Sequence, residues 1–437
     1  MLATGCAAVD DDPRRAAITA AITRGDLALA RSRPALVAGR YARMAAAPYD
    51  FYRGAMSLWL RDWRDSTTGL SASRFALEHP MPRGVGDPHP ENFGTLEAAD
   101  GTLSLQPNDL DGADRVPYLW DLRRLTVGIA LAARLGNADN PSARAEATRA
   151  ARDAVEATAR AYADTLAALA AGRSLPPRTD STDGGAILDD LFRRARRDQQ
   201  RRAELGELTR LTDARRTLLR GAPDPDEPTQ TLTDLPDDFR RDLPALLNAY
   251  RATLAAPPPP DFFTVLDAAR EYGAGVASWA RLRVLVLVRG PTDAPDDDVV
   301  LEVKELADAV TPGQLPPGVS ADALPARVLA ATRAVWTRPQ ADPLWGALVW
   351  RGMALQVRAE RASHKSVRVA RMTGCSRAMR RASRWSSGSM ESTVCARGRM
   401  SRRKRSDGRL NWPFGWAWAA RSYSDSRTIG IGVGARS

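Results

Sequence analysis

The segment Gly86-Asp87-Pro88-His89-Pro90-Glu91-Asn92-Phe93-Gly94 spaces a carboxylate and a carboxamide five residues apart. Its two prolines keep it from becoming helix, so it forms a loop able to aim Asp87 and Asn92 at one point. Residues 93–97 and 102–106 then lean apolar around an Asp100-Gly101 turn, the pattern of a short hairpin. The hairpin carries Asn108-Asp109-Leu110-Asp111 back beside the loop. Oxygen ligands of these types suit magnesium, which usually binds one or two carboxylates together with substrate phosphates. Asp111 could be a second metal ligand or a turn residue; the ligand reading is preferred.

A second cluster lies late in the chain, at Gly273-Ala274-Gly275-Val276-Ala277-Ser278, between two strand-like segments. By itself this pattern is as readily an ordinary β-turn as a phosphate-binding loop. Residues 282–288 and 299–305 read as a strand hairpin, and side-chain alternation places Val300, Glu302 and Lys304 on one face. Lys304 then points towards whatever the glycine loop covers, although a lone strand lysine is more often solvated.

The order of Asp, Asn five residues later, hairpin and second Asp resembles that of protein kinases and of aminoglycoside or choline kinases. The resemblance implies Asp87 as catalytic base, with His89 beside it where small-molecule kinases often have histidine. It implies Asn92 and Asp109 as magnesium ligands, and Asp121 in Trp120-Asp121-Leu122 as a buried brace of the loop. It also implies Gly273, Gly275 and Ser278 over the phosphates of ATP, with Lys304 gripping the α- and β-phosphates. The glutamate that usually partners this lysine is missing from residues 320–336, leaving Glu302 or Asp322 as substitutes. More closely, these motifs together with Tyr52-Arg53-Gly54, Trp120-Asp121-Leu122-Arg123-Arg124-Leu125 and Val303-Lys304-Glu305 resemble an uncharacterised bacterial family, domain of unknown function 2252, over about residues 40–370. Leu110 stands where that family usually has Phe. The expected fold is α+β, a protein-kinase-like two-lobed arrangement that is circularly permuted, with the helical catalytic lobe first and the small antiparallel sheet lobe second.

Elements must position these residues. Residues 14–48 read as short helices broken at Gly25, Pro34 and Gly39. A capped Asn140-Pro141 opens an alanine-rich helix that stops at Gly172. Helical periodicity covers about 186–220, 236–255 and 320–336, while 262–266 joins the strands. The expected division is an N-terminal segment 1–48, a catalytic lobe 49–256, the prolines 257–260 as a spacer, a sheet lobe 261–370 and a basic tail 371–437. The tail, rich in Arg, Ser and Trp, reads as disordered or as the product of a reading-frame shift.

The net charge of +11 sits in that tail, which carries 15 Arg and Lys against 3 Asp and Glu. The first 370 residues stand at −1, so no nucleic-acid partner is expected for them. No apolar run is long enough to span a bilayer. Cys6, Cys375 and Cys395 make neither a disulfide framework nor a zinc site, and a cytoplasmic protein is expected. The alternative is an envelope lipoprotein anchored through Cys6, if translation starts upstream. The functional expectation is an ATP- and Mg²⁺-dependent phosphotransferase acting on an unidentified acceptor. Its rivals are a non-catalytic nucleotide-binding pseudokinase, suggested by Ser278 where a third glycine might stand, and a metal-dependent phosphohydrolase. The last would need more histidines than His79, His89 and His364.

Overall fold

Proline and glycine punctuate the helices of the N-terminal half. The computed structural model describes residues 12–73, 81–135, 141–180, 182, 184–221, 230–312 and 323–369. Helix α1 (Pro13–Ser32) is capped by Asp12, and α2 (Pro34–Ala46), α3 (Pro48–Gly54) and α4 (Met56–Arg64) follow. Gly25 and Gly39 stay inside helices, so the 14–48 segment is two helices rather than several short ones; only Pro34, which cannot donate its backbone nitrogen, breaks it. Strands β1 (Arg83–Gly84), β2 (Phe93–Glu97), β3 (Leu103–Pro107) and β4 (Asp114–Arg115) surround the acidic motifs. The β2–β3 hairpin pairs Phe93 with Pro107 and Glu97 with Leu103, as its sequence predicts.

Helix α5 (Tyr118–Leu135) buries Leu125, Ile129 and Ala132 against Ala154 of α6 (Pro141–Ala170) and Leu188, Leu191 and Phe192 of α7 (Gly185–Arg201). The predicted cap Asn140 lies outside the described residues, as do Cys6 and the tail from 370 onward. The helix expected over 186–220 ends early, at α8 (Ala203–Leu208). Residues 209–218 instead form an antiparallel pair, β5 (Thr209–Thr212) and β6 (Arg215–Leu218), joined through Asp213 and Ala214 at positive φ. Three threonines favour strand there, and a left-handed pair of residues cannot continue a helix.

The sheet lobe is one six-stranded antiparallel sheet. It comprises β7 (Thr231–Asp234), β8 (Val265–Tyr272), β9 (Arg283–Val288), β10 (Val299–Glu305), β11 (Gly346–Trp350) and β12 (Met353–Ala359), in spatial order β11-β12-β10-β9-β8-β7. Helix α9 (Asp237–Arg251) lays Leu243, Leu246, Leu247 and Tyr250 on the face made by Val284, Val286, Leu301, Val303, Leu355 and Val357. That i, i+3, i+4, i+7 stripe is fully buried, each side chain contributing roughly 1.5–3 kcal/mol of transfer free energy. The sheet lobe therefore begins before the four prolines, because β7 pairs with β8 and α9 belongs to its core. Pro260 starts a 3₁₀ turn that tucks Phe262 and Phe263 against Tyr250, delaying the strand expected at 262 to Val265. Helix α10 (Ala323–Val335) packs under β11 and β12 and against the acidic turn at Leu110.

After β12 the chain crosses back to the helical lobe. Thr95 donates its N–H to Lys365 O at 2.9 Å and Val367 donates to Phe93 O at 2.9 Å, so residues 363–367 run as a strap along the β2 edge. With mixed helix and antiparallel sheet, the fold is α+β.

Candidate functional site

The first two turns of α5 hold the Gly86–Gly94 loop. Asp121, fully buried, accepts N–H bonds from Val85 at 2.8 Å and Gly86 at 3.0 Å, and Trp120 Nε1 donates to Gly86 O at 2.6 Å. Burial pushes the Asp121 carboxyl up to about 8, against the pull of those two donors. One helical turn on, Arg124 Nε donates to Asp87 Oδ1 at 2.7 Å and Arg124 Nη2 to Tyr52 O at 2.7 Å. The guanidinium lies over the Tyr52 ring, 3.7 Å from its centroid, and Tyr52 Oη donates to Arg124 O. Asp87 itself is drawn upward by burial, with Arg124 acting the other way.

Asn92 Nδ2 donates to Asp87 O at 2.8 Å, so the five-residue spacing closes the loop on itself. Gly86 sits at φ +82°, where a Cβ would run into the carbonyl of Gly112. The loop and the acidic turn thus meet backbone to backbone. His89 is 4% exposed, with Nδ1 unpartnered and its ring edge-on to Tyr49. Burial, then Arg53 and Arg124, hold it well below the ordinary histidine range, and it is neutral at pH 7.

Across from them, Lys304 Nζ reaches Asp111 Oδ2 at 2.6 Å and Asp109 Oδ2 at 3.3 Å. Burial opposes its charge, but the two carboxylates raise it. Burial likewise opposes ionisation of Asp109, which Lys304 and Arg358 bring below its ordinary value. Asp111 is raised by burial and by Asp109. The turn is clamped from two sides. Arg358 on β12 donates to Asn108 O at 2.9 Å, and Arg327 on α10 donates to Asp111 O at 2.9 Å and to Ala113 O. Within the turn, Ala113 N donates to Leu110 O at 3.0 Å.

Glu302, one of the expected partners of Lys304, is engaged elsewhere: Arg283 Nη1 lies 2.5 Å and Arg358 Nε 2.6 Å from its carboxylate. Those guanidinium groups hold Glu302 down at about 2 despite its burial. Asp322 lies outside the described residues. The lysine's partners are the acidic motif itself.

The glycine loop joins β8 to β9, with Gly273 at φ +83° and Gly275 at φ +74°. Ser278 Oγ accepts from Arg283 Nη2 at 3.2 Å. Val276 is buried against Met44, Ala55 and Leu58, pinning the loop to α2 and α4. A cleft of about 580 Å³ lies between the lobes. Asp87, His89, Asn92, Asp109, Asp111, Gly275, Ser278 and Lys304 line it; Gly273, at the loop's root, does not. Arg53, which also lines it, is ion-paired to Glu91 at 3.0 Å.

Sequence reasoning assigned no role to Arg124, Arg281, Arg327 or Arg358. Arg124 stands in a quoted motif and its i+3 spacing from the loop-bracing Asp121 puts both on one helix face, a signal that was legible. Arg358 and Arg327 meet the acidic turn across more than two hundred residues and carried no local signal.

No described helix is long and apolar enough to cross a membrane. No curated protein and no solved structure matches the chain. The sequence model of a family described as an uncharacterised protein conserved in bacteria, DUF2252, matches residues 31–388, running into the basic tail that begins at 371, and the chain belongs to that family.

Proposed function

We propose that the cleft is a phosphotransferase site of kinase-like, circularly permuted arrangement, taking ATP with magnesium and a hydroxyl-bearing acceptor whose identity is open. The observation that carries this reading is the meeting of Lys304 with Asp109 and Asp111 across the cleft, at 2.6–3.3 Å, in the cavity that also holds Asp87 and Asn92. The order strand, glycine loop, strand, lysine-bearing strand, as in β8, β9 and β10, supports it further.

The acidic turn fits a magnesium ion in its donor chemistry. Lys304 is a cation already held between the two carboxylates, and Asp111 Oδ1 is buried without a partner. Asn92, with Nδ2 spent on Asp87 O, keeps its amide oxygen for a ligand. Magnesium usually binds through one or two carboxylates together with substrate phosphates, and this turn offers the carboxylates. Such an ion would draw charge from the phosphate oxygens. Lys304 would then turn from the carboxylates to the α- and β-phosphates, and Asp87, oriented by Arg124, would accept the acceptor's hydroxyl proton.

The pseudokinase reading keeps one specific support: α10 has no glutamate to draw Lys304 off the acidic pair. Turnover separates the two. ATP consumption by the wild type, lost in Asp87→Asn while ATP binding persists, is the expected result for an enzyme. ATP bound by both forms and consumed by neither would leave only the binding module. Lys304→Ala should weaken ATP binding roughly tenfold to a hundredfold, the loss of one charge-assisted contact.

A further inference from the structure

The phosphotransferase reading has so far assigned no cation to the transferring phosphoryl group. Phosphoryl transfer spreads negative charge over three equatorial oxygens, and catalysis of it rests on cations and dipoles facing them. The catalytic loop supplies none, since His89 is neutral and Arg124 is committed to Asp87 and Tyr52 O. Arg283 and Arg358 share Glu302.

Arg281 is held differently. It ends the glycine loop, its N–H bonded to Ser278 O at 2.9 Å, and its side chain lines the same cleft as Asp87, Asp109 and Lys304. Among the described residues its carboxylate neighbour is Glu305 at 3.9 Å, beyond hydrogen-bond reach. Arg33 at 2.6 Å and the N–H of Leu282 at 2.8 Å both engage Glu305 Oε2, and Arg281 faces the other oxygen, Oε1. The side chain is only 24% exposed, and burial holds its pKa below the ordinary arginine value. A guanidinium held mostly out of water, with its carboxylate neighbour beyond hydrogen-bond reach, gains from an anion that comes to it. Arg281 lines the same cleft as Asp111 and Lys304, so an anion it held would lie beside the acidic turn. Arg33, which also donates to Ala280 O at 3.0 Å, fixes the backbone from which Arg281 projects.

We propose that Arg281 is a catalytic residue, its guanidinium facing the transferring phosphoryl group from the glycine-loop side in place of a cation on the catalytic loop. This rests on the phosphotransferase reading. In that step the acceptor oxygen forms a bond to the γ-phosphorus, and the bond from that phosphorus to the β,γ-bridging oxygen breaks. Its electron pair leaves with ADP, and the hydroxyl proton passes to Asp87. Arg281 exchanges no atoms; it neutralises charge on the equatorial oxygens as they flatten.

The test needs no acceptor. Binding of ADP with magnesium is measured with and without aluminium fluoride, whose planar complex with ADP imitates the phosphoryl group in transit. The wild type should bind the fluoride complex more tightly than ADP alone. Arg281→Ala should remove on the order of 10²-fold of that gain while leaving ADP affinity within about threefold, and millimolar guanidinium ion should restore part of it. Arg281→Gln, closer in shape, should behave as Arg281→Ala does and carries the test if the alanine variant does not fold. A gain unchanged in either variant, or no gain in a wild type that binds magnesium ADP, overturns the role of Arg281 alone. A wild type that binds no magnesium ADP overturns the phosphotransferase reading along with it.

Discussion

Arg124 carries more of the site's architecture than any of the residues that make it recognisable. Its side chain is 1% exposed, and it holds Asp87 and Tyr52 O at once. Removing one member of such a pair leaves the other charge buried and unpaired. Arg124→Met should therefore destabilise the protein by about 3 kcal/mol, and Asp87→Asn should relieve part of that loss in the double variant. Urea unfolding checks both; a single variant within about 1 kcal/mol of wild type would show that the pair is not held as described. Gly86 offers a second residue-scale test, because its constraint is steric as well as conformational. Gly86→Ala meets both a positive φ and the Gly112 carbonyl, whereas Gly69→Ala, at φ +67° with open space around it, meets only the first. Unfolding should show about 1 kcal/mol for Gly69→Ala and clearly more for Gly86→Ala. Equal losses would mean that loop and acidic turn do not meet backbone to backbone.

At the scale of elements, the strap at 363–367 is what joins the sheet lobe to the β2 edge. Asp198 on α7 ties it down, taking Lys365 Nζ at 2.8 Å and Arg197 Nε at 2.6 Å. Burial works against the Asp198 charge, but the hydrogen bonds from Arg197 and Lys365 hold it down at about 2. A carboxylate depressed on folding stabilises fully above its unfolded value of about 4 and loses that contribution as pH falls towards its folded value. Wild type and Asp198→Asn should thus differ in urea midpoint at pH 6 and converge as pH drops from about 4 to about 2. A difference that stays constant over that window would remove Asp198 as the strap's anchor. Little of this was legible beforehand. The β2–β3 hairpin and the 141–170 helix follow from local patterns, a turn dipeptide and an uninterrupted alanine-rich run. The strap has no such pattern, since its pairing with β2 is a contact between residues some 270 apart. Residues 209–218 misled for a local reason: Arg and Leu continue the helical composition, and only the threonines and the Asp213-Ala214 turn speak for strand.

For the whole molecule, the candidate site is an inter-lobe object. Asp87, Asn92 and the acidic turn belong to the helical lobe, Lys304, Arg358 and the glycine loop to the sheet lobe, and helices α1 and α2 bridge them through Arg33 and the burial of Val276. The acidic residues could be named from sequence because fixed short spacings set their geometry, and Lys304 because strand alternation sets its face. Its partners could not be named from a search of neighbouring helix and strand, since they come from the other lobe. The central claim is that this meeting of Lys304 with Asp109 and Asp111 is a nucleotide–magnesium site at rest. Calorimetric titration of ATP with and without magnesium, in wild type and in Asp109→Ala, tests it most directly. The account predicts magnesium-dependent binding in the wild type that is abolished in Asp109→Ala; ATP binding indifferent to magnesium, or no ATP binding at all, would contradict it.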